Sequence, residues 1–216
     1  MTAPVATSPY DVKRELRALY APKNRDWETL VVPPQRFLAV DGSGDPNTSQ
    51  AYVDAVEALY SVAYTVKFAS KNAGGRDLVV GPLEGLWYAE DASVFSARNK
   101  AAWSWTMLIS QPDWVDDAQI HDAVSAARAK AQAKKKALPG LDLVRIERLD
   151  EGLCAQVLHV GSYDDETPVL ARLHGVVLPA ARLRERGRHH EVYVGDPRRT
   201  APEKLKTVVR QPVAPA

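Results

Sequence analysis

The sequence predicts an α+β fold made of two halves with the same order of elements: a strand, a helix and two further strands. Its 216 residues are 45% hydrophobic and 25% charged, which is average for a globular domain. A strand ends in a short acidic turn at 40–45 and again at 160–165, and a helical pattern follows each turn. The two turns are alike over only a few residues, so the matching order of elements is the better support for a repeat.

Local patterns define the elements in chain order. Apolar stripes such as Tyr52, Val56, Leu59, Tyr60 and Ala63, together with start and stop signals, predict helices at 11–20, 49–66, 117–136 and 166–184. Alternation and turn signals predict strands at 30–32, 37–40, 78–88, 101–110, 142–148, 153–160, 191–194 and 205–210. We expect one domain over 10–213, with halves at about 28–112 and 141–211 joined by the helix at 117–136 and flexible termini at 1–9 and 214–216.

Charge and targeting signals narrow the functional class. Lys and Arg number 28 against 27 Asp and Glu, so the basic excess of a nucleic-acid-binding protein is missing. The N-terminus lacks the apolar region of a signal peptide, and no apolar run approaches the length of a membrane span. With Cys154 as its single cysteine, the chain can form no internal disulfide. We expect a cytoplasmic protein with a small-molecule partner, no nucleic acid and no membrane, and the oligomeric state, monomer or dimer, stays open.

Side chains alternate between the two faces of a strand, so sequence parity sorts them. Trp103, Trp105 and Met107 share a face, which is either a core wall or the floor of an aromatic pocket. Glu84 and Tyr88 lie opposite Trp87, so only one of Glu84 and Trp87 can line a cleft if that strand is regular. Glu84 is then either a solvated residue or an acid at the edge of a cleft.

The segment 189–193 carries the strongest candidate for chemistry. Parity places Glu191 with His189 and Tyr193, opposite His190. A carboxylate inside a largely apolar strand is costly unless it is paired, so Glu191 is a functional candidate; the alternative is a solvated edge strand. His189, His190 and Glu191 cannot all be ligands from one strand and no second cluster lies nearby, so we expect no metal and no cofactor.

Other nucleophile arrangements are weak in this chain. Parity separates Cys154 from His159, and no Gly-x-Ser-x-Gly elbow is present. His159 is either a packed, hydrogen-bonded histidine or a support for the candidate acid.

Taken together, the motifs resemble the GyrI-like small-molecule-binding family, and in particular its stand-alone bacterial branch without a DNA-binding domain. The resemblance covers about 10–213 and rests on Asp45-Pro-Asn-Thr48, Glu57-Ala-Leu-Tyr60, Pro82-Leu-Glu-Gly-Leu-Trp87, Trp103-Ser-Trp-Thr-Met107, Gln111-Pro-Asp113, Glu151-Gly-Leu-Cys-Ala-Gln156, His159-Val-Gly-Ser-Tyr163, His189-His-Glu-Val-Tyr193 and Asp196-Pro-Arg-Arg-Thr-Ala-Pro-Glu-Lys-Leu-Lys206.

The resemblance implies two βαββ units about a pseudo-two-fold axis, as in GyrI-like and SOUL-like proteins, with a saddle-shaped antiparallel sheet and a central ligand cleft. It implies binding of bulky planar, often cationic compounds on aromatic walls beside a buried glutamate matching Glu191. Some stand-alone members are hydrolases that open the cyclopropane of DNA-alkylating antibiotics, which implies a role in detoxification and antibiotic resistance. The sequence departs from the family at Ser162, where many members carry Pro, and at Tyr88, where Trp is frequent.

Specific roles follow as expectations. We expect Trp87, Trp103 and Trp105 to sandwich a planar ligand, and Glu191 to pair with a cation or to act as a general base toward water. Tyr163 or Tyr193 would hydrogen-bond a substrate carbonyl. The remaining expected ligand-site residues are Met107, Tyr88, Glu84 and His159. Two other functions stay open: sequestration or sensing of a ligand without turnover, and inhibition of a partner enzyme by an exposed apolar patch.

Overall fold

The computed structural model describes residues 8–72, 76–89 and 99–216 and has an α+β architecture. The α-helices are α1 (Val12–Glu15), α2 (Arg17–Tyr20), α3 (Gln50–Asn72), α4 (Asp117–Ala133), α5 (Thr167–Arg172) and α6 (Leu178–Ala181). The strands are β1 (Glu28–Val32), β2 (Gln35–Ser43), β3 (Leu83–Tyr88), β4 (Ser104–Gln111), β5 (Arg145–Leu149), β6 (Gly152–Val160), β7 (Leu183–Glu185), β8 (His189–Tyr193) and β9 (Lys206–Pro215).

The described strands form one antiparallel sheet in the order β1-β6-β9-β8-β3-β4-β2-β5, with β7 paired to β9. The strands of the two halves meet at the β3–β8 pair, at the centre of the sheet. The first strand of each half does not pair with its own neighbour in sequence: β1 pairs with β6, and β5 pairs with β2. Each half therefore completes the sheet edge of the other.

Helices cover one face of the sheet on both sides of its centre. On one side, α3 packs its Leu59 and Ala63 against Val40 and Ile109, with α4 behind it. On the other side, the segment from α5 to α6 packs Leu173 and Leu178 against Ala155 and Val213. The short α1 and α2 cover the opposite face through Val12, Leu19 and Tyr20, which pack on Val192 and Val208. We call the face between α3 and α5 the cleft face.

The structure bears out most of the predicted elements and corrects others. The helix predicted at 11–20 is two short helices, α1 and α2, with Leu16 between them. The predicted strand at 78–88 begins only at Leu83, and Leu78 instead makes an isolated bridge with Tyr10. The predicted helix at 166–184 is split into a 3-10 turn (Tyr163–Glu166), α5, a π-helical turn (Leu173–Val177) and α6. Pro179 explains the π turn, because it has no N–H to bond the carbonyl four residues back and its ring crowds that carbonyl. Of the termini predicted to be flexible, residues 1–7 lie outside the described part of the chain.

Among the helices that the structure describes, none combines the length and the apolar character needed to cross a bilayer.

Candidate functional site

Strand β8 lies in the middle of the sheet, between β3 and β9. Glu191 pairs directly with Gly85 on β3 and with Val209 on β9, so the alternative of a solvated edge strand is excluded. Paired residues share a face, so Glu191 lies on the cleft face with Tyr193 and Met107. Its side chain keeps 14% of its surface exposed, and its Oε1 lies 3.3 Å from Nε2 of His189 on the same strand.

A second carboxyl group faces Glu191 from outside the sheet. Glu166 ends the 3-10 turn before α5 and is 4% exposed. Burial raises the pKa of Glu166 to about 10, and the charge of the Glu191 carboxylate, which lies within hydrogen-bonding reach, adds to the shift. Glu166 therefore holds a proton at neutral pH beside the Glu191 carboxylate. Its Oε1 has no hydrogen-bond partner within the described ranges, which is unusual for a buried oxygen.

Three tyrosines complete this group, and we call the five residues Glu166, Glu191, Tyr52, Tyr163 and Tyr193 the glutamate–tyrosine cluster. The Tyr193 hydroxyl accepts a hydrogen bond from Trp87 Nε1 at 2.9 Å, and burial followed by the Glu191 charge raises its pKa well above the usual value. The same two causes raise the pKa of Tyr163 to about 12. Burial also raises the pKa of Tyr52, which α3 places beside Tyr163 and Glu191. All three hydroxyls stay protonated at neutral pH and can donate hydrogen bonds.

The residues expected to form an aromatic wall lie in two different environments. Trp105 and Met107 are fully buried in the core under α3, and Trp105 packs edge-on against Tyr52 with ring centroids 5.4 Å apart. Trp87 and Trp103 contact each other edge-to-face at 5.6 Å. The expected sandwich of three tryptophans is therefore wrong as stated: Trp105 is a core residue, and no gap for a planar molecule separates Trp87 from Trp103.

Glu84 and Tyr88 do not join the cluster, because they lie on the opposite face of β3 from Trp87 and Gly85. Strand parity predicted this separation, and the structure corrects the expectation that Glu84 lines the cleft. Its carboxylate is fully buried, accepts a hydrogen bond from Tyr20 at 3.0 Å and pairs with His190 Nε2 at 3.0 Å. Tyr88 packs instead under the guanidinium of Arg188, 5.4 Å from its ring centroid.

The carboxylate of Glu84 belongs to a buried ionic network beneath the cleft floor. His190 Nδ1 pairs with Glu151 Oε1 at 2.9 Å, and Arg210 Nη1 pairs with Glu151 Oε2 at 3.1 Å. Burial alone would lower the pKa of His190, but Glu151 and Glu84 raise it to about 9. Two acids and two bases thus balance their charges inside the protein.

His159 packs near the cleft without reaching the carboxylates through any hydrogen bond of the described residues. Its Nε2 lies 3.0 Å from the carbonyl oxygen of Ser162, and a Cβ added to Gly161 would lie 3.1 Å from that nitrogen. The ring therefore fixes the turn that leads to Tyr163 and Glu166.

Cys154 lies on the opposite face, as parity predicted, and burial raises the pKa of its thiol to about 12, so it is no ready nucleophile.

Sequence reasoning missed Glu166 and the placement of Tyr52. Glu166 follows Asp164 and Asp165, and such an acidic run is typical of a solvated first helical turn. A signal was available in its position, because Glu166 lies three residues after Tyr163 and residues at that spacing share one side of a 3-10 turn. No group of three or more His, Cys, Asp or Glu side chains suited to a metal occurs in the described ranges.

Comparison with known proteins agrees with this architecture. The sequence profile of the GyrI-like small molecule binding domain matches residues 28–214. An uncharacterised conserved protein from Listeria innocua is 38% identical with a TM-score of 0.86, over 95% of this chain and 100% of its own. Two further structures from the same organism, each described as a hydrolase, are each 36% identical, with TM-scores of 0.80 and 0.82, over 95% and 96% of this chain and 100% of theirs.

More distant matches add information on the fold alone. The C-terminal domain of EcmrR is 8% identical with a TM-score of 0.55, over 88% of this chain and 98% of that one. No curated protein matches the chain. The profile match spans most of the sequence and agrees with the sheet and with the relatives from Listeria, so this chain belongs to the family of the GyrI-like small molecule binding domain.

Proposed function

We propose that this protein hydrolyses planar electrophilic compounds that carry a strained cyclopropane ring, with Glu191 as the general base. The observation that carries the proposal is the pair of carboxyl groups on the cleft face: Glu191 is partly accessible, while Glu166 beside it keeps its proton. Pairs of titratable groups driven to different protonation states are typical of acid–base sites. The hydrolase relatives at 36% identity support the reaction class.

The reaction adds one water molecule. Glu191 takes a proton from water while the water oxygen bonds to a ring carbon of the cyclopropane. The ring carbon–carbon bond that this carbon makes on the side away from the incoming water breaks, and its electron pair moves through the conjugated system onto the carbonyl oxygen. That oxygen gains the proton removed from water and becomes a hydroxyl, so that substrate and water together equal product.

Tyr163 is the better candidate to hydrogen-bond the developing oxyanion. The hydroxyl of Tyr193 is already engaged, because it accepts from Trp87 and hydrogen-bonds Glu191. Tyr163 is 40% exposed, and its raised pKa keeps it a donor at neutral pH. Its exposed ring also offers a face on which a planar substrate can stack.

A second function, sequestration of planar cations, is favoured by the same residues. A carboxylate surrounded by tyrosine rings attracts a cation through both charge and ring faces, and this needs no activation of water. Both functions use one site, so only a turnover measurement separates them.

The test is incubation of the protein with a cyclopropane-fused dienone of the DNA-alkylating class, followed by mass spectrometry. Complete conversion to the water adduct by sub-stoichiometric protein supports hydrolysis, whereas loss of only one equivalent supports sequestration. Glu191→Gln should lower turnover by about 100-fold or more, the usual contribution of a general base. Glu203→Gln, at an exposed position in the 3-10 turn before β9, is the matched control and should retain full rate. Wild-type turnover in Glu191→Gln would overturn the assignment of the base.

A further inference from the structure

A concave surface lies on the outer side of α3, where α3 packs against α4. This α3–α4 groove has a volume of about 410 Å³ and is lined on the α3 side by Tyr60, Tyr64 and Phe68. Lys130, Lys134 and Lys136 line it from the end of α4 and the residues that follow. None of its lining residues belongs to the glutamate–tyrosine cluster, so the groove is separate from the proposed hydrolytic site.

The α3 side of the groove is an aromatic ladder. Tyr60, Tyr64 and Phe68 follow each other at four-residue spacing, so each ring lies one helical turn from the next. The ring centroids are 6.3 Å and 6.5 Å apart and the planes are tilted by 30° and 26°. Tyr64 is 48% exposed and Phe68 is 51% exposed. Two adjacent exposed rings on one helix face form an apolar patch of the kind that marks a binding surface.

The α4 side of the groove is positively charged. Lys136 pairs with Glu57, but within the described residues neither Lys130 nor Lys134 has an acidic partner for its ammonium group. These two lysines also lie four residues apart, which places their ammonium groups on the same side of the groove. Lysines at a helix C-terminus offset the helix dipole, but that role requires no aromatic surface opposite them.

We propose that the α3–α4 groove binds aromatic anions. The rings of such a ligand would lie against Tyr64 and Phe68, and its sulfonate, carboxylate or phosphate group would lie between Lys130 and Lys134. The volume of the groove is within the range of small-ligand sites. The Glu191 carboxylate makes the cleft face negatively charged, so the two sites select ligands of opposite charge, and occupancy of one does not require occupancy of the other.

The test compares two probes with one ring system: 8-anilinonaphthalene-1-sulfonate and N-phenyl-1-naphthylamine, which lacks the sulfonate. Binding is followed by fluorescence and by calorimetry at low salt. We expect one sulfonate probe per chain, bound more tightly than the neutral probe and weakened by added salt. Lys130→Gln with Lys134→Gln should lower the affinity for the sulfonate probe by about fivefold to tenfold, the effect of two partly solvated ion pairs, and leave that for the neutral probe unchanged.

Further variants make the result decisive. Phe68→Ala should weaken both probes, while Lys23→Gln with Lys204→Gln, two lysines outside the groove, should weaken neither. Equal affinity of the wild type and the Lys130/Lys134 double variant for the sulfonate probe would overturn the proposal. Loss of that binding in Trp103→Ala, with binding intact in Phe68→Ala, would overturn it as well, because the probe would then occupy the cleft face. Because these outcomes do not involve turnover, they leave the proposed hydrolase function untouched.

Discussion

The indole Nε1 of Trp87 donates a hydrogen bond to the Tyr193 hydroxyl at 2.9 Å, which joins β3 to β8 on the cleft face. Gly85 makes this contact possible. A Cβ at position 85 would lie 3.0 Å from both of the bonded atoms and 3.4 Å from Met107 Cε. Gly85 therefore leaves room for the bond beside Glu191.

We expect Gly85→Ala to destabilise the protein by about 1–3 kcal/mol, because the added methyl group crowds this bond in a packed region. The same change should weaken binding of planar ligands at the cleft face. Urea denaturation and dye titration measure the two effects. Gly175→Ala is the control, since a Cβ there meets nothing within 4 Å. Equal stability of the two variants would contradict the role of Gly85.

Two of the three cluster tyrosines, Tyr163 and Tyr193, should differ in their effect on stability. Tyr193→Phe removes the acceptor of the Trp87 N–H and leaves that buried donor unpaired, so we expect a loss of about 1–3 kcal/mol. Tyr163→Phe removes a hydroxyl from a ring that is 40% exposed, and stability should change by less than about 0.5 kcal/mol. Turnover should fall in Tyr163→Phe although its fold is intact; full activity in that stable variant would exclude Tyr163 as the oxyanion donor.

Glu166→Gln should stabilise the protein increasingly as the pH rises. The pKa of Glu166 is raised to about 10 in the folded protein, above the ordinary value of 4.5, so its contribution to stability is complete below pH 4.5 and is lost as the pH rises toward about 10. Glutamine has no proton to lose. The difference in unfolding free energy between variant and wild type should grow by about 4 kcal/mol between pH 5 and pH 8. A difference that does not vary with pH would show that Glu166 is ionised in the folded protein.

The buried ionic network gives the wild type its own pH dependence. The pKa of His190 is raised from 6.5 to about 9, so its contribution is complete below pH 6.5 and is lost as the pH rises through about 9. Burial opposes ionisation of Glu151, yet His190 and Arg210 lower its pKa to about 2, so its contribution is present above pH 4.5 and is lost as the pH falls toward about 2.

NMR titration of the His190 ring should therefore give a midpoint near pH 9 in the folded protein. The unfolding free energy of Glu166→Gln, which removes the overlapping contribution of Glu166, should still decline between pH 6.5 and pH 9. His121→Gln, at an exposed position on α4, is the control and should leave this decline unchanged. A His190 midpoint near the ordinary value of 6.5 would contradict the charged network.

What the sequence alone determined was local. Strand parity placed Glu191 with Tyr193, separated Glu84 from Trp87 and separated Cys154 from His159, because the two-residue period is a property of each strand's own backbone. Turn and cap residues located most of the elements, and the motifs identified the family.

Only the tertiary structure decided which distant residues meet. The pairing of β1 with β6 and of β5 with β2, the approach of Glu166 to Glu191, and the burial of Trp105 under α3 depend on contacts between residues far apart in the chain. Parity says which face a side chain occupies but not what covers that face. Burial and opposing charge, which set the proton on Glu166, exist only once α5 has packed beside the sheet.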